Sequence, residues 1–420
     1  MPILGCIADD FTGGTDLANN LVKSSFFVVQ TIGIPENRIS FSEADAVVVA
    51  LKTRTSPVEY AVTESRNALA WLRTIGCQNF YFKYSSTFDS TPQGNIGPVI
   101  EALLRELNEP FTIACPAFPD NGRTVYHGYL FVYDQLLSES GMRHHPLTPM
   151  TDPNIVRVLS AQTNLSVGLV RAQTIRKGEA AIAMTFEALN GEGIEVAITD
   201  ATSNEDLVLL AKAAKKMKLV TGGSGLALGI GENFGLRDRS RPAFTVPPGR
   251  RAILAGSCSQ MTLKQIDRVK NRFPSFRVEP ERLHSDFDAS IDKVLRWARD
   301  KVSTPVLVFT SAAPVELAAS QKQMGIEPAG ILCERFLARI AAEFANDGFS
   351  QFIVAGGETS GAVVKELAIN YLQIGPEIAP GVPWTLAFGA KRQIALALKS
   401  GNFGSEHFFV EAWQLLDAPT

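Results

Sequence analysis

Asp9 and Asp10 stand side by side, directly after the apolar run Ile3–Ala8 and directly before Phe11-Thr12-Gly13-Gly14-Thr15-Asp16. The run predicts a buried strand, and a helix is expected to open at Thr15 or Asp16, so the carboxylates fall in a strand-to-helix loop. Open α/β sheets bind ligands there, outside the carboxyl ends of their strands. Adjacent carboxylates repel each other, and a helix N-terminus favours negative charge. The loop therefore suits a cation, a proton or a hydroxyl-rich ligand. An Asx-type turn with an N-cap would use the same residue types.

A second chemistry is written near the other end. The strand expected at Gln351–Ala355 runs into Gly356-Gly357-Glu358-Thr359-Ser360-Gly361 and then a helix. Glycines let backbone N–H groups approach a ligand, Thr and Ser add donors, and the helix start supplies positive potential, which together make a phosphate cradle. The segment is neither G-x-G-x-x-G nor a P-loop. Gly256-Ser257-Cys258-Ser259 and Ser400-Gly401-Asn402-Phe403-Gly404 follow two further strands. Three such loops in one domain can converge on one nucleotide.

The loops of the first half carry carboxylates (Asp9, Asp10, Asp16, Asp89), cations (Arg54, Lys83, Arg123) and hydroxyls (Thr12, Ser85, Ser86, Thr87). Arg and Lys suit the carboxylate of a small polyhydroxy acid, and Asp and Asn suit its hydroxyls. A phosphate cradle facing a sugar-acid pocket implies phosphoryl transfer across an interdomain cleft, with Asp10 or Asp9 as the proton-accepting carboxylate. Glu358 would orient Mg2+ or cap its own helix, and the metal ligands stay open.

The elements that must position these residues alternate. Strands are expected at Asp45–Leu51, Gln78–Tyr84 and Thr112–Cys115, with helices from Pro57 to Gly76 and, after Gly94-Asn95-Ile96-Gly97, through Leu107. Each strand runs into polar residues, the pattern of a parallel sheet with a ligand edge. From Val125 to about Thr163 the alternation breaks, with a hairpin arm expected at Tyr126–Tyr133; it then resumes to Thr221. Arg237–Arg250, charged and with three prolines, is the expected linker. The fold class is therefore α/β in two domains, 1–240 for the sugar acid and 241–420 for the nucleotide, each a mainly parallel sheet flanked by helices. In the second half, single helices are expected at Met261–Phe273, His284–Val302 and Gly330–Asn346.

At 420 residues the chain is long enough for two cores, and 45% hydrophobic with 20% charged residues is ordinary for a soluble globular protein. A net charge of −3 gives no reason to expect nucleic acid or an anionic membrane as partner. Five scattered cysteines without a Cys-x-x-Cys suggest neither a disulfide framework nor a zinc site. With no leader or membrane-length apolar stretch, a cytoplasmic location is expected. Two-fold assemblies are common, and a homodimer is the expected state.

At these motifs the chain resembles the four-carbon acid sugar kinase family. The resemblance rests on Ala8–Asp16, Gly356–Gly361, Gly256–Ser259 and Ser400–Gly404, and it spans nearly the whole chain. Within the family, Pro116–Leu130 and Arg143–Asp152 look most like members that act on 3-oxo-tetronates. The resemblance implies a sugar-acid-binding N-terminal domain, an ATP-binding C-terminal domain, and ATP- and Mg2+-dependent phosphorylation of the 4-hydroxyl of a four-carbon sugar acid. A D- or L-threonate or erythronate is the alternative acceptor. The loop chemistry of the first half makes Thr12, Asp16, Arg54, Lys83, Ser86, Asp89 and Asn95 the expected substrate contacts. For ATP the resemblance implies contacts from Ser257, Ser259, Gly357, Glu358, Thr359, Ser360, Gly361 and Gly404. Gly14 stands where the family usually has Ala. The family's Lys-x-x-Ser-Thr-x-x-Gly-Asn pattern is stretched here, from Lys83 through Ser85-Ser86-Thr87 to Gly94-Asn95, which leaves open which hydroxyl meets the substrate.

Two rival readings differ in chemistry. A nicotinamide-dependent oxidoreductase would need G-x-G-x-x-G and an acidic ribose-binding residue about 20 positions on, which are lacking. A non-catalytic sugar-binding module would leave ATP turnover at background.

Overall fold

In this computed structural model the described residues are 1–35, 41, 43–145, 147–236, 244–311, 326–389 and 392–417. The chain divides into two compact units, residues 1–241 and 242–420. The linker expected at 237–250 lies partly, and the boundary expected after 240 wholly, outside the described residues.

Among its described residues unit one holds eight parallel strands: β1 (Leu4–Ala8), β2 (Val28–Ile32), β3 (Ala46–Ala50), β4 (Asn79–Lys83), β5 (Thr112–Cys115), β9 (Val167–Val170), β10 (Val196–Thr199) and β11 (Leu219–Gly222). Their order is β2–β3–β1–β4–β11–β5–β10–β9. β1 and β3 are buried along their whole length, which explains their unbroken apolar runs: helices cover both faces of such a sheet. Ala8 lies opposite Ala50 on one side and Lys83 on the other. The strand order reverses at β1, so the loop after it sits at the switch point where open α/β sheets bind ligands.

The helix after β1 runs from Phe11 to Lys23 and starts four residues earlier than expected. Gly13-Gly14 has poor helix propensity, but Asp10 caps the helix by accepting from Gly13 N at 2.9 Å. Thr12 and Asp16 are therefore helical residues.

The hairpin arm expected at Tyr126–Tyr133 belongs to a small antiparallel sheet of β6 (Arg123–Tyr126), β7 (Tyr129–Val132) and β8 (Gln135–Leu136). Its His127-Gly128 turn has both residues at positive φ, as a two-residue hairpin requires. The buried Asp200 carboxylate fixes that turn, accepting from His127 N and Gly128 N at 2.9 Å each.

Unit two contains β12 (Arg250–Ala255), β13 (Ser275–Arg277), β14 (Val306–Phe309), β15 (Phe349–Ala355), β16 (Tyr371–Ala379), β17 (Val382–Phe388) and β18 (Ile394–Lys399). The order is β13–β14–β12–β15–β18–β17–β16, parallel up to β18 and antiparallel beyond it. The antiparallel pair has no counterpart in the sequence reading, because Gly375-Pro376 and Pro383 interrupt its alternation. The register does shift between Ile374 and Glu377, as at a bulge. The single helix expected at His284–Val302 is two, Pro280–Ser285 and Phe287–Ala298, broken at Asp286. The core of this unit packs Ile253, Ile266, Ile353, Trp384, Phe408 and Trp413 together.

Candidate active site

In unit one the polar residues gather at the carboxyl ends of β1, β3 and β4. Arg54, in the loop after β3, is their centre. Its Nε and Nη2 donate to Asp9 at 2.9 and 2.7 Å, and Nη2 also donates to Asp10 at 2.6 Å. Nη1 lies 3.9 Å from Asp89 Oδ2. The main chain fixes the same geometry: Asp9 O accepts from Thr53 N and Arg54 N. Asn95 Nδ2 donates to the carbonyls of Thr53, Arg54 and Ser56 at 2.6, 3.2 and 2.9 Å, so it shapes the arginine loop.

Asp9 and Asp10 differ in environment. Burial raises the Asp9 carboxyl pKa, and Arg54 only partly offsets this. Burial also acts on Asp10, but Arg54, Lys83 and the hydrogen bonds from Thr12 and Gly13 outweigh it and hold the carboxyl below its ordinary range. Asp10 is the more reachable of the two, its side chain 20% exposed against 8% for Asp9. Gly13 is the residue its position demands. A Cβ there would lie 2.1 Å from Asp10 Oδ1 and 2.7 Å from Lys83 Nζ.

Lys83 and Asp16 are buried and only loosely paired, Nζ to Oδ2 4.0 Å. Lys83 Nζ makes no hydrogen bond to a described residue, and Asp16 Oδ1 is buried without a hydrogen-bond partner. Desolvation lifts the Asp16 pKa to about 6, with Lys83 and Ser224 pulling the other way. An under-satisfied buried cation and carboxylate beside the Arg54 cluster have the chemistry to bind a small molecule carrying both an anionic group and hydroxyls.

The turn after β4 aims Asp89. Phe88 is fully buried yet holds φ at +56°, a region bulky residues rarely occupy. Thr87 Oγ1 donates to Asp89 Oδ1 at 2.5 Å and is itself linked to Ser85 Oγ at 2.9 Å. Ser86 is buried next to them. Arg123 is buried, which lowers its pKa, and it stacks 5.6 Å over the Tyr133 ring.

In unit two the three glycine loops meet. A Cβ on Gly256 would lie 2.3 Å from Thr359 Oγ1, and one on Gly401 would lie 2.5 Å from Ser257 Oγ and 2.9 Å from Ser259 Oγ. The helix Gly357–Glu366 has no side-chain cap, so the N–H groups of its first turn remain available to an anion. Gly357 and Glu358 are exposed at that start, whereas Thr359 and Ser360 turn inward and pack. Ser259 caps the helix Gln260–Val269 through Thr262 N. Gly404 holds φ at +79° against Phe408.

Residues 4–230 match the model of a sugar-binding N-terminal domain, and residues 252–409 that of a nucleotide-binding C-terminal domain. The chain belongs to the four-carbon acid sugar kinase family. A protein of Pseudomonas fluorescens named 3-oxo-tetronate kinase is 51% identical over 98% of this chain and 96% of its own. One of the same name from Burkholderia multivorans is 50% identical over 99% and 98%. A crystal structure from Salmonella typhimurium LT2 superposes with a TM-score of 0.89 at 42% identity, covering 99% of this chain and 100% of that one. The chain is thus a kinase, a transferase that uses ATP on a small molecule.

Within this kinase, Asp9, Asp10, Thr12, Arg54 and Asp89 form one hydrogen-bonded or ion-paired group, with Lys83 and Asp16 beside it. Asn95 stands behind the arginine loop. Two residues escaped the sequence reading. Ser224 lies near Asp16 and was legible only as part of a glycine-rich strand end. Lys399 is fully buried behind the three glycine loops, although a lysine before Ser-Gly reads as a solvated strand end. No group of three or more His, Cys, Asp or Glu that could hold a metal ion occurs among the described residues. Among those residues no helix is long and apolar enough to cross a membrane.

Proposed function

We propose that this kinase transfers the γ-phosphoryl group of ATP to the 4-hydroxyl of a 3-oxo-tetronate, giving the 4-phosphate and ADP. The observation that carries the acceptor is the under-satisfied Lys83–Asp16 pair beside Arg54, Asp9 and Asp10. Lys83 receives the acid's carboxylate, and Asp16 Oδ1 and Asp89 accept from its hydroxyls. The names of relatives near 50% identity support the 3-oxo acid over its reduced forms.

In the transfer, the acceptor oxygen forms a bond to the γ-phosphorus, the bridge to the β-phosphate breaks, and the hydroxyl proton leaves to a carboxylate. Asp10 is the proposed proton acceptor, being the more reachable of the pair, with Asp9 as the alternative. Arg54 keeps both ionised side chains together. On the nucleotide side, the N–H groups of Gly357, Glu358 and Thr359 at the helix start, with Ser360 and Gly361 closing that turn behind them, the Ser257 and Ser259 hydroxyls and the Gly404 turn receive the phosphates. Mg2+ would travel with ATP and neutralise polyphosphate charge; it takes one or two carboxylates beside phosphate oxygens, and Glu358 is the carboxylate exposed at the cradle. A homodimer is the proposed assembly, on symmetry grounds alone.

The test is ADP release over a panel of 3-oxo-tetronates, threonates and erythronates, with phosphorus NMR locating the phosphate on the product. The highest kcat/KM for a 3-oxo acid, with phosphate at the 4-oxygen, supports the reading. A higher value for a threonate or erythronate replaces the acceptor.

A further inference from the structure

Lys399 ends β18 with its side chain fully buried. Its ammonium donates to Gly401 O at 2.8 Å, Ser400 O at 2.9 Å and Thr262 Oγ1 at 3.2 Å. An ammonium has three N–H donors, so all are spent. Its carbonyl accepts from Gly356 N at 2.8 Å. Thr262 extends the network: its Oγ1 donates to Gly401 O at 2.8 Å, and its N–H donates to Ser259 Oγ at 3.2 Å. One lysine therefore ties together the 256–259, 356–361 and 400–404 loops.

A buried cation is ordinarily paired with a carboxylate. This one meets only neutral oxygens. Across the sheet its register partner is Ala355, and the helix Gln260–Val269 turns Thr262 toward it. No charged group among the described residues acts on its proton; burial alone does, and pulls its pKa down to about 7. An apolar side chain would fill this space at lower desolvation cost. What it could not do is pin carbonyls. Gln265 pins the far half of the same loop, with Nε2 donating to Phe403 O at 3.1 Å and Ser405 O at 2.8 Å.

We propose that Lys399 is a positioning residue for the nucleotide, its ammonium drawing the carbonyls of Ser400 and Gly401 inward and so fixing the Ser400–Gly404 loop in its phosphate-receiving shape. The proposal rests on the reading of these loops as the nucleotide site. A neutral amine has two donors for three acceptors, so loss of the proton releases one of them and loosens the loop. Nucleotide affinity then falls as pH rises through about 7. The nucleotide's own titration works in the opposite sense, since ADP gains negative charge over that range.

The test is calorimetric titration of ADP into the wild type, K399M and K399R between about pH 6 and 9, beside the KM for the acceptor acid and the melting temperature of each protein. Expected are an ADP affinity for K399M at pH 6 weaker by about 10-fold or more, the range of lost charged hydrogen bonds, and an acceptor KM changed by less than about 2-fold. The wild type loses affinity above about pH 7, and K399R, charged throughout, does not. K399M binding within about 2-fold of the wild type overturns the role of Lys399 alone. A wild type that binds no ADP overturns the nucleotide site, and the proposal with it. Should K399M fail to fold, the wild-type profile measured against that of K399R decides, since both share the nucleotide's own titration: two profiles that run parallel overturn the proposal.

Discussion

Arg54 grips Asp9 with both Nε and Nη2, at 2.9 and 2.7 Å, and the same Nη2 reaches Asp10 at 2.6 Å. One guanidinium thus bridges two neighbouring carboxylates and offsets part of their mutual repulsion. Lys can supply the charge but not the planar fork. Arg54→Lys should therefore keep the fold and lower kcat/KM for the acceptor by about 10- to 100-fold, one or two charged hydrogen bonds being lost. Arg54→Ala leaves two carboxylates uncompensated and should cost about 3–5 kcal/mol of stability as well. Thermal melts and steady-state kinetics check both. Arg54→Lys at wild-type kcat/KM removes the bidentate grip from the account.

Asp10 is both a helix cap and the proposed proton acceptor, and one substitution separates these roles. Asn caps as well as Asp does, so Asp10→Asn keeps the hydrogen bond from Gly13 N while removing the charge. Turnover should fall by about 10²- to 10⁴-fold, the usual contribution of a general base. ADP affinity should stay nearly intact. If Asp10→Asn retains near-normal kcat and Asp9→Asn does not, Asp9 takes the proton.

The strand-to-loop grammar of unit one was open to sequence reading because its central parallel strands, such as β1 and β3, are buried on both faces and read as apolar runs. Thr112–Cys115 shows this, its ends as expected from the pattern. The start of the first helix was hidden, since Gly13-Gly14 reads as loop while capping by Asp10 and the close approach of Lys83 make glycine necessary at 13. β16 and β17 were hidden by prolines that the bulged edge tolerates. Among site residues, Arg54, Lys83 and Asp16 could be named from their place after strands. Asn95 could be named but not its task, because its bonds run to backbone carbonyls some forty positions away. Lys399 could not be found at all: burial of a lysine is a property of packing and leaves no mark in local sequence.

Asp16 should leave a signature in stability against pH. Its folded-state pKa, about 6, is above the ordinary 3.8, so between those values the native state binds more protons than the unfolded one. Its contribution is then full below about pH 4 and is lost as pH rises through 6, an effect of about 3 kcal/mol by linkage. Asp16→Asn removes the titrating group. Relative to the wild type it should gain melting temperature from pH 4 to pH 7, while acceptor KM rises. A constant difference between the two melting curves across that range counts against the raised pKa.

Gly401 tests the convergence of the proposed nucleotide loops, since a Cβ there would press on Ser257 Oγ at 2.5 Å and Ser259 Oγ at 2.9 Å. Both contacts are with short side chains in the loop and cap that face the proposed phosphates, so the new atom must displace them. Gly401→Val should weaken ATP binding by about 10-fold or more, in line with overpacking costs of about 1–3 kcal/mol. Acceptor binding, which depends on unit one, should not change. Gly191→Ala is the control, because nothing lies within 4 Å of the added carbon. Equal ATP affinity for the two variants, measured by titration at one pH, would mean that the Ser257 and Gly401 loops do not share a ligand.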